Sequence, residues 1–169
     1  MNVYYTNITV SKNSHCDLLI SEYGLCYVGA PADSYSTTKA WLDRNLPDAV
    51  LTTDPLATEP YENALQHYLL QKTNTIDISI HLVGTPFQKQ VWNELCQISY
   101  GQTKSYSDVA RALHRPTSVR AVSNAIAKNP VMIAVPCHRV IGKNGKLTGF
   151  RGGLAMKKQL LQLEEGVFT

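Results

Sequence analysis

Much is scarce in this 169-residue chain. Its four cysteines (Cys16, Cys26, Cys96, Cys137) are scattered, with no Cys-x-x-Cys pair, which excludes a disulfide framework. His15-Cys16 with Cys26 matches no common zinc spacing. No metal is therefore expected, and the thiols outside any chemical motif are expected to be small buried hydrophobes. No apolar run approaches the ~20 residues of a membrane span. Met1-Asn2-Val3-Tyr4-Tyr5 is not the start of a basic-then-apolar leader. No membrane association and a cytoplasmic location are expected. Internal repeats and low-complexity segments are also missing. With 44% hydrophobic and 17% charged residues, a disordered or collagen-like chain is excluded. The length suits one medium domain or two small ones with a real core.

Acids are nearly missing from the second half. Residues 81–169 hold twelve bases against Glu94, Asp108, Glu164 and Glu165, a balance of +8, whereas residues 1–80 hold four bases against nine acids, a balance of −5. A division at 80/81 into an acidic and a basic domain is expected, the basic one facing a polyanion.

In the first domain, 3–10 and 17–29 read as strands, with Ser21-Glu22-Tyr23-Gly24 as a hairpin turn. Short helices are expected near 37–46 and 60–71, with a loop rich in Pro, Asp and Thr at 47–60. The alternation in 75–83 (TIDISIHLV) predicts another strand. The result is a small α/β domain without a chemical motif. The second domain starts with a helix at Thr85-Pro86-Phe87-Gln88, where Thr85 can cap, Pro86 suits the first turn and Gln88 completes a capping box. Phe87, Val91, Leu95 and Ile98, with Trp92 beside them, form its core stripe. Ser107-Asp108 is read as the cap of a second helix and His114-Arg115-Pro116-Thr117 as a turn. A third helix, 118–128, has Val119, Val122 and Ile126 on one face and Arg120, Ser123, Asn124 and Ala127 on another. Short helix, turn and amphipathic helix outline a helix-turn-helix. Arg120 among small side chains suits either close approach to DNA or simple solvation.

Ile133-Ala134-Val135 reads as a short buried strand leading into Pro136-Cys137-His138-Arg139-Val140. A thiol is little ionised at neutral pH, and its thiolate is the nucleophile. A neighbouring imidazole can take the proton, and a carboxylate can orient that imidazole. Glu164, near the end of a final helix at 153–165 packed by Leu154, Leu160, Leu161 and Leu163, is the candidate orienter. On these grounds Cys137 is either a nucleophile or a buried structural thiol.

The stretch from Gly84 to Glu164 resembles the O6-alkylguanine-DNA alkyltransferases, also called methylated-DNA–protein-cysteine methyltransferases. The matching pieces are GTPFQ (84–88), VW (91–92), SYSDVA (105–110), RAV (120–122), NP (129–130), PCHRV (136–140) and GG…K…LL..E (152–164), in the family's order and spacing. The resemblance implies a ribonuclease-H-like α/β N-terminal domain, inferred from the whole. It also implies a mainly α, winged-helix-like C-terminal domain containing the helix-turn-helix. The implied activity is irreversible, single-use transfer of an alkyl group from O6 of guanine in duplex DNA, and less readily from O4 of thymine, to Cys137. The implied protein works as a monomer without a cofactor.

By the same resemblance, His138 would draw off the thiol proton through a water, Glu164 would hold His138, Tyr106 would donate to the departing guanine, and Asn129 would brace the active-site loop. Arg120 would fill the place of the flipped nucleotide, with Ser107, Val119 and Ser123 beside the DNA. Val140, Phe150, Arg151 and Gly152 would form the substrate pocket, with Arg139 structural. His114 and Ser123 stand where glycine is frequent, Phe150 replaces a frequent tyrosine, and Arg151 follows where a small residue is often seen. Three rivals are weaker. A lesion-binding relative without transfer would lack the cysteine, a Cys-His hydrolase has no use for the Arg120 helix, and a bare regulator leaves PCHRV unexplained.

Overall fold

The computed structural model describes residues 1–166, and the chain divides into two compact units at Val83–Gly84. In the first, β1 (Asn2–Ser11), β2 (Ser14–Ser21), β3 (Gly24–Val28) and β4 (Val50–Thr52) form a sheet of order β3-β2-β1-β4. β1–β2 and β2–β3 are antiparallel, and β1–β4 is parallel. The 21–24 turn closes the β2–β3 hairpin, with Ser21 opposite Gly24. Gly24 has φ +129, and a Cβ there would lie 2.3 Å from the Ser79 carbonyl oxygen. Only glycine tolerates both conditions.

Val3, Leu19, Cys26, Tyr27 and Leu42 form the core under α1 (Tyr35–Asn45). Cys16 is buried as expected and Cys96 is exposed, against the expectation; Cys26 is buried. Burial pushes its thiol up to about 12, so it stays protonated and unreactive.

Two expectations for this unit need correction. The 75–83 stretch is not a strand. Among the described residues its backbone pairs where Leu25 N–H donates to the Ser79 carbonyl and His81 N–H donates to the Leu25 carbonyl, both at 2.9 Å. Its alternation reports half-buried Ile76, Ile78 and Ile80 between exposed Thr75, Asp77 and Ser79, a pattern that needs no ladder. The 47–60 segment is not a loop throughout, because it contains β4 and the start of α2 (Pro55–Leu69). Asp54 accepts from Leu56 N–H at 3.0 Å and Pro55 occupies the first turn. The Asp-Pro pair that reads as a loop is therefore a helix start.

The second unit is mainly helical. α3 (Pro86–Leu95) begins with the full capping box of Thr85 and Gln88. Its Trp92 is buried and donates from Nε1 to the Ala125 carbonyl at 2.8 Å, tying α3 to α5 (Val119–Ala127). α4 (Tyr106–Ala112) is capped by Ser105, with Asp108 returning the bond. Ser107 lies inside the helix, so the cap stands two residues before the expected Ser107-Asp108. The α4–α5 turn contains His114 at φ +56, a left-handed position that glycine adopts at least cost. A two-stranded parallel sheet pairs β5 (Lys104–Ser105) with β6 (Val140–Ile141), setting the start of α4 beside the PCHRV segment. α6 (Leu154–Glu165) buries Met156, Lys157, Leu160, Leu163 and Glu164. Leu154 was expected to pack but is exposed. No helix among the described residues is long and apolar enough to cross a membrane.

Candidate active site

Cys137 opens a single 3₁₀ turn, Cys137–Arg139, and is buried with His138. The segment before it is a tight turn where a strand was expected. Val135 N–H donates to the Val131 carbonyl at 2.9 Å, and Ile133 sits at φ +75. A β-branched residue there is strained, at a cost of about 1–3 kcal/mol. Asn129 holds the turn closed from both ends. Its Oδ1 accepts from Val131 N–H and its Nδ2 donates to the Val135 carbonyl, each at 2.9 Å. Both bonds are buried, so losing them would leave backbone groups unsatisfied in the interior.

His138, Arg139 and Gly101 grip the Glu164 carboxylate. His138 Nε2 lies 2.8 Å from Oε1. Arg139 donates from Nε at 3.0 and 2.9 Å to the two oxygens and from Nη2 at 2.7 Å to Oε1. Gly101 N–H donates to Oε2 at 3.3 Å. Arg139 also donates from Nη1 to the Ile98 carbonyl at 2.6 Å. Planar, bidentate contact of this kind is what a guanidinium supplies and an ammonium does not. The PCHRV motif therefore encodes its acid's anchor as well as the thiol and imidazole.

Burial lowers the His138 pKa, the Glu164 hydrogen bond and charge oppose that, and the Arg139 and Lys157 charges add to it. The imidazole is neutral and can accept a proton. Burial raises the Cys137 thiol, offset in part by the Asn129 hydrogen bond and by the charges of Arg151 and Lys157. At rest Cys137 is thus a thiol, and attack by its sulfur would need a base to remove the proton.

A cavity of about 310 Å³ opens onto Cys137, lined by Tyr106, Ser123, Ile126, Ala127, Asn129, Gly149, Phe150 and Arg151. This is the lower end of the range for small-molecule sites. The Tyr106 hydroxyl donates to the Thr148 carbonyl at 2.9 Å. Arg151 donates from Nε to the Asn129 carbonyl and from Nη2 to the Pro130 carbonyl, both at 3.2 Å.

The structure thus brings Cys137, Asn129, Tyr106, Ser123, Phe150 and Arg151 to one cavity and joins His138 to Glu164 behind it. Val140 and Gly152 are not among its described lining residues. The Val140 carbonyl accepts from Lys157 Nζ at 2.6 Å, and a Cβ on Gly152 would meet Met156 and Phe150 at 2.6 and 2.7 Å. Arg120 is exposed at the start of α5, while Val119 and, in α4, Ser107 are half-buried.

Sequence reasoning gave no role to Lys157. It is fully buried and also donates to the Thr148 and Gly149 carbonyls at 3.0 and 3.2 Å. It thereby ties the loop beneath Tyr106 to β6. Burial lowers its pKa, opposed by Cys137. Its signal was the lysine within GG…K…LL..E. Among the described residues no three His, Cys, Asp or Glu side chains converge as a metal site would require.

Residues 86–166 match the family profile described as the DNA binding domain of 6-O-methylguanine DNA methyltransferase. The inducible methylated-DNA–protein-cysteine methyltransferase of Bacillus subtilis is 48% identical over 161 residues, covering 95% of this chain and 90% of that protein. The crystal structure of Mycobacterium tuberculosis O6-methylguanine methyltransferase superposes with a TM-score of 0.82 at 34% identity, covering 97% of this chain and 93% of that one. A structure of M. tuberculosis OGT in complex with DNA gives 0.80 at 32% identity, covering 98% and 94%. The chain belongs to the methylated-DNA–protein-cysteine methyltransferase family.

Proposed function

We propose that the protein repairs duplex DNA by taking the alkyl group of O6-alkylguanine, and less readily O4-alkylthymine, onto Cys137. The observation that carries this reading is a buried thiol at the floor of a small cavity, followed directly by an imidazole locked to Glu164. His138, with Nε2 on Glu164, takes the thiol proton at Nδ1 through a water. Sulfur attacks the alkyl carbon, the S–C bond forms as the C–O6 bond breaks, and the electron pair passes to the guanine. Tyr106 donates to the guanine as that charge develops. The thioether has no route to removal, so each molecule acts once and needs no cofactor.

A base inside a duplex is out of reach of a buried thiol, so the nucleotide is flipped, at a cost of a few kcal/mol. Arg120, exposed at the start of α5, fills the gap. Ser107, Val119 and Ser123 approach the backbone, and the half-buried Ser123 and small Ala127 permit close contact. The exposed cations Lys104, Arg111, Arg115 and Lys128 suit a phosphate backbone. Val140 and Gly152 shape the pocket from behind its lining. The α/β unit takes the ribonuclease-H-like fold and the helical unit the winged-helix-like one. The protein works as a monomer in the cytoplasm.

Arg120→Ala is the test. It should slow repair of O6-methylguanine in a duplex at least tenfold while leaving reaction with free O6-benzylguanine within about threefold, about 1.4 and 0.6 kcal/mol of barrier respectively. Equal loss with both substrates would refute the flipping role, and no reaction with either in the unmodified protein would refute the function.

A further inference from the structure

The turn after α3 reaches both members of the Arg139–Glu164 pair. The Ile98 carbonyl accepts from Arg139 Nη1 at 2.6 Å, and Gly101 N–H donates to Glu164 Oε2 at 3.3 Å. Between them stands the half-buried Tyr100. The Arg139 guanidinium lies over its ring, with Cζ 5.8 Å from the centroid. The Tyr100 hydroxyl donates to the Leu163 carbonyl at 3.3 Å, one residue before Glu164. One side chain thus touches the cation and the end of the helix that carries the acid. The face of an aromatic ring attracts a cation, most of all where water is partly excluded.

We propose that Tyr100 is a positioning residue for the alkyl transfer: it holds Arg139 on Glu164, and through that pair it keeps His138 ready to act as the base. The inference rests on the alkyl-transfer reading above. The Arg139 side chain is 11% exposed against 1% for Glu164, so Arg139 is the member that can turn away. Glu164 favours protonated His138, and the Arg139 charge opposes it. Without the ring, the guanidinium loosens from the carboxylate, and the unopposed Glu164 charge favours the imidazolium. An imidazolium cannot accept the thiol proton. The other charge acting on His138 is Lys157 from α6. At the end of α3, which also packs on the Cys137–Arg139 turn, the Cys96 thiol feels the Arg139 charge. Glu94 of α3 lines a separate cavity beside α4, and Lys89 is exposed.

The His138 imidazole is followed by NMR against pH, with its signals assigned by His138→Gln. The proteins compared are the unmodified chain, Tyr100→Leu, Tyr100→Met, Tyr100→Phe, and Arg139→Met with and without Tyr100→Leu. The titration midpoint should rise by at least about 0.5 pH unit, threefold in proton affinity, in the Leu and Met variants. Tyr100→Phe keeps the ring and should rise less than half as far. In Arg139→Met, adding Tyr100→Leu should move the midpoint no further, because the group through which Tyr100 acts is gone. A midpoint unmoved in Leu and Met, a Phe variant shifted as far as they are, or the full rise repeated on top of Arg139→Met overturns the proposal and leaves Tyr100 a packing residue.

Rates with free O6-benzylguanine, measured against pH on the same proteins, separate this from failure of the repair reading. The acid limb of the rate profile should move up together with the NMR midpoint. A midpoint that rises while the acid limb stays in place overturns the link to the transfer. If the unmodified protein does not react and the midpoint still rises, the repair reading fails and the hold of Tyr100 on His138 stands. If it reacts and the midpoint does not move, the positioning role fails alone.

Discussion

Replacing Arg139 with methionine keeps most of the side-chain volume and removes the guanidinium. The side chain of Glu164 is 1% exposed, and Arg139 supplies three of its donor contacts. Removing one partner of a buried ion pair costs about 3–5 kcal/mol because the other charge stays behind. His138 and Gly101 still contact the carboxylate, which places the expected loss near the lower figure, about 3 kcal/mol. The remaining negative charge and the loss of a nearby cation both favour protonated His138, because Arg139 is among the groups that lower its pKa. A protonated imidazole cannot take the thiol proton. The variant should therefore react slowly with O6-benzylguanine near neutral pH and recover as the pH is raised. Arg139→Lys restores the charge without the planar fork and should fall between. Denaturant unfolding gives the stability, and single-turnover rates against pH give the protonation. A loss below about 1 kcal/mol with an unmoved pH profile would show that Arg139 does not anchor Glu164.

Two other results are expected. His114→Gly relieves the left-handed strain at an exposed turn, and denaturant unfolding should show a gain of about 0.5–1 kcal/mol; a loss would show that the His114 side chain contributes more than its backbone strain costs. Stability should also depend on His138. Its folded pKa is depressed, so the unfolded chain binds the proton more readily. That contribution is fully present above the unfolded value of about 6.5 and is lost as the pH falls from there through the folded pKa. Unfolding of His138→Gln across this window should show a weaker pH dependence than the unmodified protein.

What could be read in the sequence was local chemistry with a fixed spacing. Thr85 and Gln88 form their capping box because both partners lie within four residues, and the Cys137-His138 adjacency survives any fold. The pairing of His138 with Glu164 was reachable because few acids exist in the basic half. What escaped depends on tertiary placement. The 133–135 segment has the apolar, β-branched look of a strand, yet it lies in a turn that Asn129 closes by bonding Val131 N–H and the Val135 carbonyl. Arg139 looked structural because its partners, Glu164 and the Ile98 carbonyl, lie 25 and 41 residues away. Lys157 is a cation on an amphipathic helix, normally a solvated position, and three distant carbonyls make its burial possible. Ser107 was read as the cap although Ser105, two residues earlier, stands at capping-box spacing from Asp108 and is the residue that caps α4.

The central claim is that Cys137 is the stoichiometric acceptor. An excess of duplex containing O6-methylguanine is mixed with the protein, and the tryptic peptide containing Cys137 is weighed while the lesions lost are counted. One methyl group on that peptide, repair ending at one lesion per protein molecule, and neither event in Cys137→Ala are the expected results. An unmodified Cys137 peptide with repair continuing past one equivalent would contradict the account.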